Sequence, residues 1–130
     1  MRRIQELEAI RLACRRHRPE NIAALRDCLA DWEEAIAADG PIAELDRVFH
    51  CGLVKGTQNA VLLRLVNIFY LMTVRQREYY FRDRDRCRTS DAQHRRIFQA
   101  VLDRDEDRAA ELLGAHLVSA GSYWHELIAD

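Results

Sequence analysis

Residues 60–72 read A-V-L-L-R-L-V-N-I-F-Y-L-M, and they are apolar on almost every side of the helix that they predict. The polar groups in this segment belong to Arg64, Asn67 and Tyr70. A helix that is apolar around its whole circumference is typical of a central element that other helices cover. The segment therefore predicts the spine of an all-α domain. It is not a predicted membrane span, because it is shorter than ~20 residues and contains Arg64 and Asn67.

On both sides of this segment, prolines and glycines mark the boundaries of further helices. The prolines are Pro19 and Pro41, and no run of alternating β-branched residues indicates a strand. We read the alternating charges of residues 82–86 as a solvated helix end or loop. We expect six helices, over about residues 2–16, 19–38, 41–54, 59–82, 89–102 and 105–128.

Length and composition predict one globular domain over residues 1–130. The chain has 48% apolar and 32% charged residues, which argues against a disordered or fibrous protein. Its net charge is −1 and Lys55 is the single lysine, so we expect no DNA binding by this chain alone. The four cysteines lack a CxxC spacing, and no signal peptide precedes them, which predicts reduced, mostly buried thiols and a cytoplasmic protein.

Two polar side chains of the third predicted helix point towards the core. Asp46 and His50 are four residues apart and therefore lie on adjacent turns of one helix face. That face flanks the apolar stripe that includes Phe49 and Leu53. We therefore expect the carboxylate and the imidazole to reach into the domain.

Two further histidines occupy apolar arcs of the last two helices. His94 lies among Ile97, Phe98 and Val101, and His116 lies within a similar arc on the following helix. A single buried histidine is usually hydrogen-bonded to a backbone carbonyl. Burying three imidazoles and one carboxylate, however, costs several kcal/mol unless each finds a partner, and one divalent cation satisfies all four.

The predicted metal ligands are thus Asp46, His50, His94 and His116. Three nitrogens and one carboxylate oxygen suit zinc, nickel, manganese or iron, and we favour zinc. Without a thiolate, such a site keeps positions open for water or an incoming carboxylate. His17 lies among arginines at a helix end and is not a predicted ligand.

The spine helix carries the candidate effector contacts. Arg64, Asn67 and Tyr70 are three residues apart and fall roughly on one side of this helix. A buried guanidinium is a good bidentate clamp for a carboxylate. The alternative is a surface arginine with a hydrogen-bonded core asparagine, and the sequence leaves both interpretations open.

Several segments together resemble a known family. They are L-D-R-V-F-H at residues 45–50, Asn59, H-R-R-I-F-Q-A-V at residues 94–101, Ala109, and His116-Leu117. This pattern resembles the FCD domain, the C-terminal effector-binding domain of the FadR subgroup of GntR transcription regulators. The resemblance implies an antiparallel helical bundle with the metal in its central cavity, held by the four residues chosen above.

The resemblance also implies a function and partners. Sugar acids or organic acids are expected to bind against the metal, and the domain is expected to form homodimers. Asn59 matches a family asparagine that orients a ligand or a water, although helix N-capping explains it equally well. DNA binding is expected only through a winged helix-turn-helix domain, which we do not find in this sequence. We therefore expect the chain to be an excised domain, a truncated regulator or a stand-alone sensor.

Three functions are compatible with these features. The first is a metal-dependent sensor of small carboxylates. The second is a small hydrolase in which the cation activates water. The third is a plain helical dimerisation bundle. We expect no enzyme, because Glu33, Glu34 and Glu44 look solvent-facing and supply no evident base.

Overall fold

The computed structural model describes residues 2–127, with side chains for residues 4–119, and in that part of the chain it contains helices and no strand. The all-α prediction is confirmed, with seven helices in place of about six. They are α1 (Arg2–Arg16), α2 (Pro19–Ala38), α3 (Ile42–Lys55), α4 (Ala60–Met72), α5 (Val74–Tyr80), α6 (Arg84–Leu102) and α7 (Glu106–Leu127).

Most helix ends follow from local chemistry. Pro19 occupies the first turn of α2, where its missing N–H is not needed. Asp39 ends α2 in the left-handed conformation at φ 58°, and Gln58 and Arg104 adopt the same conformation in the later turns. The Asn59 side chain caps α4 by accepting hydrogen bonds from the next backbone N–H groups.

The predicted long helix over residues 59–82 is wrong, because the helix breaks at Thr73. The Thr73 hydroxyl donates to the carbonyl of Phe69 at 3.0 Å, and the residue leaves helical geometry at φ −110° and ψ 20°. Such back-bonding by threonine bends helices. Helix α5 begins after the break, and its Arg77 donates to the carbonyl of Ala43 on α3.

The helix that follows the charged segment at residues 82–86 begins earlier than predicted. Asp83 accepts hydrogen bonds from the N–H groups of Asp85 at 2.8 Å and Arg86 at 3.3 Å. It is therefore the N-cap of α6, which begins at Arg84 rather than near Thr89. Residues 82–85 are exposed, as the alternating charges predict, whereas Cys87 in the added turns is buried.

The main core lies between α1, α2, α3, α6 and α7. Its members are apolar side chains that are almost completely shielded from solvent, and among them are Ile10, Leu25, Phe49, Ile97 and Leu113. All four cysteines are buried free thiols, as predicted. Helix α1 packs on α7 and α2 packs on α3 and α6, which brings α3, α6 and α7 around one centre.

The prediction that α4 is a spine covered on all sides is wrong. One face of α4 packs on α1 and α3 through Val66 and Tyr70, which are fully buried. The opposite face is exposed, and we call it the outer face of α4. It consists of Val61 (65% exposed), Leu65 (47%), Ile68 (52%), Leu71 (56%) and Met72 (75%).

The apolar composition of α4 does not specify what covers each face of the helix, so it could not distinguish a central helix from one at the edge of the bundle. Among the described residues, α4 packs on α1 and α3, and these two helices bury one of its sides. Among the described residues, no helix has the length and apolarity needed to cross a membrane.

Candidate metal centre

The structure brings the four predicted metal ligands together in the core. Asp46 and His50 come from α3, His94 from α6 and His116 from α7. These four residues are between 0% and 5% exposed. One donor atom from each lies within 4.8 Å of the others, and we call this group the His/Asp cluster.

Aromatic neighbours fix the imidazoles of the His/Asp cluster. The His94 ring stacks on Phe49 with centroids 4.1 Å apart and meets the edge of Trp32 at 4.8 Å. The His50 ring stacks on Tyr70 at 5.1 Å. Because these rings are buried, the histidine side chains have little freedom to turn away from the centre.

The distances between donor atoms fit a single cation. His94 Nε2 is 3.2 Å from His116 Nε2, and Asp46 Oδ1 is 3.3 Å from His50 Nε2 and 3.7 Å from His94 Nε2. Tetrahedral zinc with ligands at about 2.0–2.1 Å separates its donors by about 3.3 Å. The donor set therefore fits a divalent ion with little rearrangement.

Outer hydrogen bonds hold two of the histidines in the tautomer that a metal requires. His50 Nδ1 donates to Glu6 Oε1 at 2.9 Å, and His116 Nδ1 donates to Gln93 Oε1. With the proton on Nδ1, the Nε2 atom of each ring is directed to the centre. The pKa of His50 is raised to about 9, so this ring would release its Nε2 proton when a metal binds. His94 Nδ1 is buried and has no hydrogen-bond partner among the described residues.

Glu6 is the carboxylate behind His50, and it is only 2% exposed. The Tyr70 hydroxyl donates to both of its oxygens, at 3.0 Å and 3.2 Å. The resulting chain of carboxylate, histidine and candidate metal site is the arrangement that orients zinc-binding histidines in many proteins. Glu6 therefore belongs to the site although it is not a ligand.

Arg77 supplies a buried positive charge next to the His/Asp cluster. It is 1% exposed, and its Nη1 lies 3.7 Å from Asp46 Oδ2. It also donates to the backbone carbonyls of Ala43 and Tyr70. Burial alone raises the pKa of Asp46, but His50 and Arg77 outweigh burial and hold this pKa below its usual value.

The histidines differ in their protonation. Burial lowers the pKa of His50, but the carboxylates of Glu6 and Asp46 outweigh burial and raise this pKa to about 9. Burial, His116 and His50 all hold the pKa of His94 well below its ordinary value. His94 is therefore a neutral imidazole near pH 7, which is the form that binds metals.

The four predicted effector contacts have different positions. Tyr70 lies at the His/Asp cluster, whereas Arg64 is exposed and Asn59 caps α4 by accepting from Val61 and Leu62. The half-buried Asn67 instead accepts a hydrogen bond from Arg47 Nη1 at 3.0 Å. The structure thus brings one of the four, Tyr70, to the site, and the effector-binding role of all four stays a prediction.

Sequence reasoning missed Glu6, Gln93 and Arg77. On α1, Ile4 is 73% exposed, and the buried stripe contains Glu6, Ala9 and Ile10. A charged residue in the same stripe as small apolar ones is a signal that could have identified Glu6. For Gln93 and Arg77 we find no such signal, because their roles depend on how helices pack.

Three histidines and one aspartate that converge in the core of a helical bundle form a candidate metal-binding site. The profile of the FCD domain matches residues 1–119. The chain belongs to this family, which comprises the effector-binding domains of GntR-type transcription regulators.

Two proteins illustrate the relationship. The chain is 36% identical over 121 residues to the Nta operon transcriptional regulator of Aminobacter aminovorans, and this match covers 90% of the chain and 55% of that protein. It resembles the solved structure of E. coli McbR/YncC with a TM-score of 0.81 and 16% identity, over 97% of this chain and 62% of that one. The chain thus spans little more than half the length of these proteins.

Proposed function

We propose that this chain is a metal-dependent sensor of small carboxylates within a GntR/FadR-type transcription regulator. The observation that carries this proposal is the convergence of Asp46, His50, His94 and His116 from three helices on one buried point. The FCD family membership supports a regulatory role rather than catalysis.

These four residues would hold a divalent metal, among which we favour zinc over nickel, manganese and iron. The donor set has no thiolate, so the ion can accept further oxygen ligands. When bound, the metal supplies a Lewis-acidic positive charge that attracts a carboxylate. Glu6 and Gln93 keep two of the imidazoles aligned for it.

The charges around the site favour an anionic effector. A divalent cation and Arg77 bring three positive charges, whereas Asp46 and Glu6 bring two negative ones. A buried net positive charge is unfavourable without a counter-ion, and one carboxylate neutralises it. The sugar acids and organic acids expected for the family have this chemistry.

Tyr70 is the predicted effector contact with the best structural support, because its hydroxyl and ring both face the His50 side of the site. Arg64, Asn67 and Asn59 remain proposed contacts. For Asn59, the capping hydrogen bonds already account for the side chain.

The proposed partners follow from the family. The domain would form a homodimer, and it would act on DNA through a winged helix-turn-helix domain. The transcriptional regulator from Aminobacter aminovorans is consistent with this role. An effector that binds one arrangement of the helices better than another would change the geometry of the two DNA-binding heads.

Metal analysis and calorimetry test this proposal. We expect about one divalent metal per chain by elemental analysis. Isothermal titration with a panel of small mono- and dicarboxylates should reveal a ligand whose binding disappears after treatment with a chelator and returns after zinc is added. Binding that is unaffected by removal of the metal would contradict the sensor mechanism.

A further inference from the structure

Arg77 is a cation that is buried as deeply as the four predicted metal ligands. It is 1% exposed, and it belongs to α5, which supplies none of those ligands. A charged group that is removed from water costs several kcal/mol unless it has fixed partners. The partners of Arg77 therefore indicate what its buried charge does.

The guanidinium of Arg77 is fixed by the framework around the His/Asp cluster. Nη1 donates to the backbone carbonyl of Ala43 in the first turn of α3, and Nη2 donates to that of Tyr70 in the last turn of α4. Nε donates to Thr73 Oγ1 at 3.3 Å, at the break between α4 and α5. The guanidinium also lies over the Tyr70 ring, 5.1 Å from its centroid. It is therefore a fixed charge rather than a mobile clamp for an incoming ligand.

This fixed charge faces one of the two oxygens of Asp46. Arg77 Nη1 lies 3.7 Å from Asp46 Oδ2, whereas Oδ1 lies 3.3 Å from His50 Nε2 and 3.7 Å from His94 Nε2. One oxygen of the carboxylate thus faces the donor atoms of the cluster, and the other faces the guanidinium. A carboxylate binds metals through one or both of its oxygens. Arg77 opposes the second mode, because a guanidinium and a divalent ion repel each other at the same oxygen.

We propose that Arg77 is a positioning residue that makes Asp46 a one-oxygen ligand and thereby keeps a coordination position open for an effector carboxylate. The inference rests on the proposed function and adds the residue that sets how many ligands the protein itself supplies. With Oδ2 paired to Arg77, the protein offers three nitrogens and one oxygen. A divalent ion with such a donor set accepts further oxygen ligands, whereas a second oxygen from Asp46 would compete with the effector.

Loss of the Arg77 charge should change metal binding and carboxylate binding in opposite directions. In Arg77→Met, Asp46 is free to turn its second oxygen towards the ion, and the repulsion between guanidinium and ion is absent. The zinc affinity should therefore rise by about 10-fold. The affinity of the zinc-loaded protein for acetate should fall by at least ~10-fold, as for other outer-shell changes. Damage to the fold alone would lower both affinities.

Cobalt(II) in place of zinc reports the coordination sphere directly, because its visible absorption depends on the number and geometry of its ligands. Titration with sodium acetate should shift the visible band of the cobalt-loaded wild type. In Arg77→Met, the band before titration should already differ from that of the wild type, because Asp46 contributes a second oxygen. The acetate response of this variant should require at least ~10-fold more acetate. Sodium chloride at the same ionic strength should shift neither band.

Two further variants serve as controls. Arg77→Lys loses the guanidinium fork, as Arg77→Met does, but keeps the positive charge. It should resemble the wild type in zinc affinity, cobalt spectrum and acetate response. Arg75→Met removes an exposed arginine of the same helix and should match the wild type in all three measurements.

Equal zinc affinities and equal acetate responses in Arg77→Met and Arg77→Lys would overturn the inference. Circular dichroism reports whether each variant folds, and Arg77→Gln is the second neutral variant if Arg77→Met does not. The wild type alone provides a further test, because carboxylate stretching bands in the infrared spectrum differ between one-oxygen and two-oxygen binding. Two-oxygen bands in the zinc-loaded minus metal-free spectrum would overturn the inference.

The metal content of the wild type separates this inference from the proposed function. A wild-type chain that binds neither zinc nor cobalt would contradict the proposed function, and the inference with it. A chain that binds zinc at Asp46, His50, His94 and His116 but fails the tests above would contradict the role of Arg77 alone.

Discussion

Polar residues of a folded protein are usually exposed and apolar ones usually buried. The His/Asp cluster and the outer face of α4 depart from this distribution in opposite ways. In the cluster, ionisable residues are at most 5% exposed in the centre of the bundle. On the outer face, large apolar side chains are 47–75% exposed to solvent. Polar groups inside and apolar groups outside both carry an energetic cost in an isolated chain.

The comparison suggests that each region is completed by something outside the chain. A divalent cation would satisfy the buried donors, and a partner surface would cover the exposed apolar side chains. Tyr70 links the two regions, because it belongs to α4 and contacts both His50 and Glu6. Changes to one region should therefore be measured in both.

The largest expected effect comes from removing a metal ligand. In His94→Ala, the metal affinity should fall by more than the ~10–100-fold typical of losing an outer-shell partner, because a donor atom itself is lost. The purified variant should contain no stoichiometric metal by elemental analysis.

His17→Ala is the control for this experiment. The His17 ring is half-buried and its Nδ1 bonds to the carbonyl of Ala13 at the end of α1, away from the cluster. This variant should keep its metal. Stoichiometric metal in His94→Ala would show that the ion binds elsewhere in the protein.

Removal of the metal should be the next largest effect. A ligand that binds only the folded state at 100 times its dissociation constant stabilises it by about 2.7 kcal/mol. For a chain of this size, chelation should lower the melting temperature by roughly 10 °C. The same chelator should leave the melting temperature of His94→Ala unchanged, and an equal shift in both proteins would indicate a nonspecific effect.

The His/Asp cluster was predictable because each ligand stands within an apolar periodic pattern. His94 and His116 lie in the buried arcs of their helices, and the four-residue spacing of Asp46 and His50 places both on one face. The residues that hydrogen-bond to these histidines from outside the cluster could not be predicted in this way. Glu6 contacts His50 across 44 residues of sequence, and only the packing of α1 on α3 creates that contact.

The all-α class and most helix boundaries were predictable, since prolines, caps and turn residues act locally, whereas six helices were expected and seven are present. The break at Thr73 was not, because threonine is compatible with a continuous helix until its hydroxyl bonds to Phe69. The exposed side of α4 was not predictable either. Composition cannot distinguish a helix that its own chain covers from one that a partner covers.

A smaller effect is expected from the outer partner of His50. Glu6→Gln keeps the size of the side chain but removes the charge that orients and polarises the imidazole, so metal affinity should fall by about 10–100-fold. A competition titration with a fluorescent zinc chelator measures this change. Glu8→Gln is the control, because Glu8 is exposed on the same helix. Equal affinities for the two variants would contradict a role for Glu6.

The smallest expected effect separates the two interpretations of Asn59. Its side-chain oxygen accepts from the N–H groups of Val61 and Leu62 at 3.1 Å, so Asn59→Ala should cost about 1 kcal/mol of unfolding free energy through the lost N-cap. Asn59→Asp should retain the cap, and neither variant should change metal content. Weaker carboxylate binding in Asn59→Ala with unchanged stability would instead identify Asn59 as an effector contact, which would place part of the effector site at the start of α4.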